Sequence, residues 1–136
     1  MRPSLYTVAR AGPGRLSIMA RPRGGDWLAE ELHGLRRLGV EVLVCALTAP
    51  EQAELGLAEE ATACATAGLA FRAIPIPDRG VPEEQTLRPV LGQLHAALAA
   101  GRQIVIHCRA GIGRASLVAG ALLVGRDWLP SRSGSG

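Results

Sequence analysis

Lysine is absent from this 136-residue chain, and all 15 basic side chains are arginine. That absence excludes the phosphate-binding loop of NTPases, Gly-x-x-x-x-Gly-Lys-Ser/Thr, whose lysine reaches the phosphates. Aromatic side chains are nearly missing, at two Trp, one Tyr and one Phe. With no RRM, zinc-finger or helix-turn-helix pattern either, nucleic-acid binding is not expected. No run of about 18 uninterrupted apolar residues occurs, which speaks against a membrane span. The opening MRPSLYTVARAGPGR lacks the continuous apolar block of a secretory signal. Cys45, Cys64 and Cys108 cannot all pair and none are in Cys-x-x-Cys spacing, so a reducing cytoplasm is the expected location.

What is present suits a folded domain. Hydrophobic residues make up 48% of the chain, too many for a disordered polymer. The length fits one compact domain, assigned to residues 1–130, with the SRSGSG end at 131–136 read as a flexible tail. The net charge of +3 is unevenly spread. Arg2, Arg10, Arg15, Arg21 and Arg23 precede the first acid, Asp26, and all acids but Asp127 lie between Asp26 and Glu84. The basic segment reads as a solvated arm, one that would also attract an anionic substrate.

Short apolar runs alternate with helical patterns. LSIM (16–19), after Tyr6-Thr7-Val8, suggests an edge strand. Asp26, beside Gly24 and Gly25, is placed as the N-cap of a helix to about Leu38, with Leu28, Leu32 and Leu35 on one face. VEVLVCAL (40–47) is a buried strand, Pro50 opens a short helix, and a second helix over 57–67 stops at Gly68. LAFRAIPI (69–76) is the next strand, and PDRGVP (77–82) a turn-rich loop. Pro82 starts a helix ending near Gly101, with two glutamates at its positive end. QIVIHC (103–108) is the last strand, and an apolar helix expected to be buried all round starts near Gly113. Cys45 and Cys64 read as core residues, and His33 and His95 as surface residues. The alternation predicts a single α/β domain with a mainly parallel central sheet flanked by helices.

The stretch IVIHCRAGIGRAS (104–116) carries the chemistry. A dinucleotide loop would need a glycine where Ser116 stands and an acid about twenty residues on. Neither is there. The turn from Cys108 to Arg114 instead joins the C-terminal end of a buried strand to a helix N-terminus, where open α/β sheets bind ligands. Backbone N–H groups of Arg109, Ala110, Gly111, Ile112, Gly113 and Arg114 can converge on a tetrahedral oxyanion, and the glycines permit the turn. Arg114 adds a two-pronged donor to phosphate oxygens. The same donors and the helix end favour a thiolate at Cys108, a nucleophile facing a bound phosphate.

HCRAGIGR resembles the His-Cys-x5-Arg signature of the cysteine-dependent protein tyrosine phosphatases, in the style of the dual-specificity branch. The resemblance implies Cys108 as nucleophile, Arg114 as phosphate and transition-state clamp, residues 109–114 as the amide cradle, and His107 as the residue that orders the loop and favours the thiolate. It also implies a proton donor on an upstream loop, and IPIPDRGVP offers Asp78. The family usually places Ser or Thr directly after the arginine; here Ala115 stands there, with Ser116 next as the supporting hydroxyl. Further helices commonly follow the loop helix in the family, whereas this sequence stops shortly after Trp128. The expected function is hydrolysis of phosphate monoesters on a phosphorylated protein or small molecule through a cysteinyl-phosphate intermediate, with no metal or organic cofactor. A rhodanese-like sulfurtransferase and a catalytically poor phosphate-binding domain remain as alternatives.

Overall fold

A computed structural model of the chain describes residues 5–11, 14–77, 79–109 and 113–132. The strands are β1 (Tyr6–Ala11), β2 (Gly14–Ala20), β3 (Val42–Cys45), β4 (Ala70–Ala73) and β5 (Gln103–Cys108). The helices are α1 (Leu28–Arg37), α2 (Ala49–Glu54), α3 (Glu60–Ala67), α4 (Glu84–Ala99) and α5 (Gly113–Arg132). One five-stranded sheet has the order β1-β2-β5-β3-β4. β1 runs antiparallel to β2, and all other neighbours are parallel. The mainly parallel α/β architecture is as expected from the alternation of patterns.

Period-two alternation splits the core between the two sheet faces. Leu16, Ile18, Val44, Ile104, Ile106 and Cys108 pack with Leu94 and Leu98 of α4 and with Val118, Ala119 and Leu122 of α5. Met19, Leu43, Cys45 and Val105 face the other way, against Leu28, Leu32 and Leu35 of α1 and Cys64 and Ala67 of α3. The consecutive residues His107 and Cys108 therefore point to opposite faces of the central strand. Both are buried.

Several local expectations need correction. LSIM lies in β2, which sits between β1 and β5, so the edge strand is β1. Asp26 caps nothing: it lies within a single 3-10 turn, Gly25–Trp27, that leads into α1. Gly24 and Gly25 serve the backbone instead. Gly25 N donates to Gly56 O at 2.9 Å, and a Cβ on Gly24 would lie 2.2 Å from Leu55 O. Nor is α5 buried all round, since Ala115, Val118, Ala119 and Leu122 are covered while Ser116 and Gly120 are exposed and Leu117 is 46% exposed. Pro50 does open α2, and Gly68 ends α3 in the left-handed region at φ 86°. Among the described residues, no helix is long and apolar enough to cross a membrane.

Two arginines of the basic N-terminal segment, Arg21 and Arg23, keep contact with solvent and also make defined contacts with the fold. Arg23 donates to Glu31 and lies 4.4 Å from the centre of the Trp27 ring. Arg21 donates to the carbonyl oxygen of Arg109 at 2.9 Å.

Candidate active site

The C-terminal ends of the parallel strands bring together residues that are far apart in sequence. β5 delivers Cys108, 1% exposed, on the face covered by α4 and α5. Arg114, the second residue of α5, is 9% exposed. Its Nη1 and Nη2 donate to Glu51 Oε1 and Oε2 at 2.7 and 2.9 Å, and Nη1 also donates to Ile76 O at 2.8 Å. This two-pronged pair orients a planar guanidinium more tightly than a point charge could.

Glu51 is itself held. It is the N3 residue of α2, and its Oε1 accepts from the backbone N–H and the hydroxyl of Thr48 at 3.1 and 3.0 Å, a reciprocal capping box. The Arg114 hydrogen bonds, followed by those from Thr48, lower the Glu51 pKa to about 2. Sequence reasoning missed Glu51. The Thr-x-x-Glu pattern at 48–51 was there to be read, yet it announces a helix start and not a partner for an arginine 63 positions away.

Arg109 makes a second fork, to Glu54 Oε1 and Oε2 at 3.0 and 3.1 Å, and this pair is exposed. Its guanidinium lowers the Glu54 pKa. Arg79, Gly80, Val81, Arg109, Gly113, Arg114 and Leu117 line a cavity of about 680 Å³ at this end of the sheet. Arg79 is left-handed at φ 62°, an uncommon conformation for a residue with a side chain. Another hollow, about 440 Å³, lies beside Val42, Ala70, Ala97 and Arg102, and none of its lining side chains is a nucleophile or an acid.

Of the residues predicted from the sequence, Cys108, Arg109, Gly113 and Arg114 fall at this one end. Asp78, Ala110, Gly111 and Ile112 lie outside the described residues. Ala115 is fully buried in the cluster that contains Cys108, whereas Ser116 is exposed. His107 is fully buried behind the sheet, its Nε2 2.6 Å from Glu60 Oε2, and Glu60 is equally buried. Cys45 joins them, and the three residues bring donor atoms within 4.8 Å of one another, a group able in principle to hold a metal ion. Cys45 and Cys64 are core residues as expected, and no disulfide joins any of the three cysteines. His33 is exposed as expected. His95 is not a plain surface residue: its Nε2–H donates to Leu122 O at 2.7 Å and joins α4 to α5.

Comparison with known proteins agrees with this fold. Over 50 residues the chain is 40% identical to cyclin-dependent kinase inhibitor 3 of Sus scrofa, a match covering 37% of this chain and 24% of that protein. The rat protein of the same name matches to the same extent, so the aligned stretch spans about a quarter of these curated relatives. Kinase associated phosphatase (KAP), solved with a serine substituted for its catalytic-site cysteine, shares the fold with a TM-score of 0.80 at 20% identity, over 91% of this chain and 74% of that one. Tk-PTP in the active form gives 0.70 at 24% identity, over 98% of this chain and 77% of that one. Residues 17–127 match the family profile for the DSP-PTPase phosphatase of polymorphic toxin systems. That match favours a phosphatase over a sulfurtransferase. Running from the second strand into the last helix, across both Cys108 and Arg114, it shows that the chain belongs to the polymorphic toxin system DSP-PTPase phosphatase family, within the cysteine-dependent protein tyrosine phosphatases.

Proposed function

We propose that this protein hydrolyses phosphate monoesters on phosphorylated proteins, phosphotyrosine foremost, in the cytoplasm, and that Cys108 and Arg114 carry the reaction. The observation that supports this most is the pairing of a buried cysteine at the end of the central strand with an arginine already oriented by Glu51 at the start of the next helix. The phosphate would rest on the amides of residues 109–114 and beside the Arg114 guanidinium that Glu51 orients. Donors fixed in advance cost no reorganisation as charge develops on the phosphoryl oxygens. Cys108 Sγ attacks phosphorus as the bond to the leaving oxygen breaks, and Asp78 gives that oxygen its proton. Water then attacks phosphorus, returns a proton to Asp78 and releases Cys108 as thiolate.

The cavity lining adds a reading of the substrate. Arg79 and Arg109 are cationic and Val81 and Leu117 are exposed apolar side chains, 72% and 46% accessible. A phosphorylated side chain with an apolar body and acidic neighbours suits that lining. The test is phosphate release from phosphotyrosine, phosphothreonine and phosphoserine peptides, phosphoinositides and nucleotides, with Cys108→Ser alongside. Serine keeps the cradle but cannot ionise usefully near pH 7, so turnover should vanish while vanadate binding persists. Hydrolysis by Cys108→Ser at the wild-type rate would remove the covalent mechanism.

A further inference from the structure

Behind the nucleophile's strand lies a buried polar group that the proposed reaction does not use. The register of β3 against β5 sets Cys45 opposite His107, and that of β2 sets Met19 on its other side. Glu60, from the first turn of α3, closes over them with Oε2 2.6 Å from His107 Nε2. Both side chains are completely buried, and Glu60 Oε1 and His107 Nδ1 have no hydrogen-bond partner.

Such an arrangement is costly. A carboxylate taken out of water loses several kcal/mol unless it is paired, and well-packed apolar residues would often serve stability as well. The short contact is of the charge-assisted kind. It fixes the imidazole of the residue directly before Cys108, while the His107 carbonyl accepts from Ala46 N at 3.0 Å. His107, directly before Cys108, is thereby held through both its side chain and its backbone.

We propose that Glu60 is a positioning residue for Cys108, acting through His107: the carboxylate fixes the buried imidazole, so that Cys108 enters the loop in a set orientation facing the amide cradle. The inference rests on the reading of Cys108 as nucleophile. The other neighbours of the pair are a thioether and two thiols. β2 presents Met19, β3 presents Cys45 and α3 presents Cys64. Burial first, then the charge of Glu60, raises the Cys64 pKa to about 12 and that of Cys45 further, so both thiols stay neutral. Arg109 and Arg114, with Glu54 and Glu51, form the separate ion-pair group at the loop itself.

The experiment is the pH dependence of Cys108 alkylation by iodoacetamide, read by peptide mass spectrometry in the wild type, Glu60→Gln, Glu60→Asp, His107→Gln and the Glu60→Gln/His107→Gln double variant. Glu60→Gln should move the midpoint up by about one pH unit, a roughly tenfold slower alkylation below both midpoints. Glu60→Asp should fall between, and the double variant should match the single ones because the pair acts as a unit. A folded Glu60→Gln that melts earlier but alkylates with the wild-type midpoint would reduce the pair to a core contact and overturn the proposal. Should Glu60→Gln not fold, Glu60→Asp and His107→Gln decide by the same criterion. Stoichiometric zinc in the purified wild type, lost in Cys45→Ser, would overturn it in favour of a metal site. Alkylation needs no phosphoryl transfer, so a wild type that alkylates as expected but releases no phosphate would sink the phosphatase reading alone.

Discussion

Glu51→Gln isolates the contact that sequence reading missed. Glutamine keeps the shape of the side chain and one carbonyl acceptor but removes the charge from between Arg114 and Thr48. With its pKa lowered from 4.5 to about 2, Glu51 contributes on the order of 3 kcal/mol to folding, at about 1.4 kcal/mol per unit. The side chain is 15% exposed, and that access to solvent trims the figure towards about 2 kcal/mol. Arg114, only 9% exposed, would keep its bond to Ile76 O but lose its counter-charge.

The pH dependence gives this prediction its sharpness. A depressed carboxylate pKa stabilises the fold fully above the unfolded value, near 4.5, and the contribution disappears as pH falls towards 2. Urea unfolding of wild type and Glu51→Gln should therefore differ by about 2–3 kcal/mol at pH 7 and converge as the pH drops through that window. Turnover at pH 7 should fall as well, because an unanchored guanidinium no longer meets the phosphoryl oxygens in one orientation. A stability difference that stays constant from pH 7 to pH 3, or one below about 0.5 kcal/mol throughout, would refute the ion-pair argument.

Other expected outcomes concern the proposed chemistry directly. Arg114→Lys replaces a fork with a point charge, so both turnover and vanadate affinity should drop sharply; unchanged affinity would place Arg114 outside the phosphate site. Asp78→Ala should slow esters with poor leaving groups by about 10²–10⁴-fold and spare those with good ones, and a uniform loss across leaving groups would make Asp78 structural. Ala115→Ser adds a hydroxyl at a fully buried position in the Cys108 cluster, where a hydrogen bond to a charged group is worth about 1.5–3 kcal/mol. Breakdown of the phosphoenzyme, followed by rapid quench, should accelerate by roughly 10- to 150-fold. Equal breakdown rates in the two proteins would show that the missing hydroxyl is no handicap.

The parts of this protein visible in its sequence are those governed by local rules. The bounds of β5 coincide with the apolar run QIVIHC, Pro50 and Gly68 mark helix ends, and Leu28, Leu32 and Leu35 share a face because one helical period puts them there. The order of strands is different. Nothing within LSIM tells that YTVARA will lie outside it, since the edge is defined by which strand arrives beside β2 on its other side. The glycines at 24 and 25 misled for a related reason: they read as a helix start, but their purpose is a close approach to Leu55 and Gly56, thirty residues on. Leu117 is exposed on an apolar helix because the sheet strands β5 and β2, together with α4, leave its side of α5 uncovered.

The same distinction explains why the signature residues were legible and their partners were not. His107, Cys108 and Arg114 lie within one strand–loop–helix unit, and their spacing is a local pattern that can be read directly from the sequence. Their carboxylate partners have no such constraint on sequence distance. Glu60 meets His107 across 47 positions and Glu51 meets Arg114 across 63. Each comes from the first turn of one of the two helices between β3 and β4. The two acids do different physical work there. Glu51 meets its arginine at the edge of solvent, where pairing fixes the orientation of a side chain that is charged anyway. Glu60 meets its histidine in full burial, where a carboxylate is tolerated only with a close partner. A chain of arginines and no lysines suits the first role, since only the planar fork turns an ion pair into a fixed direction.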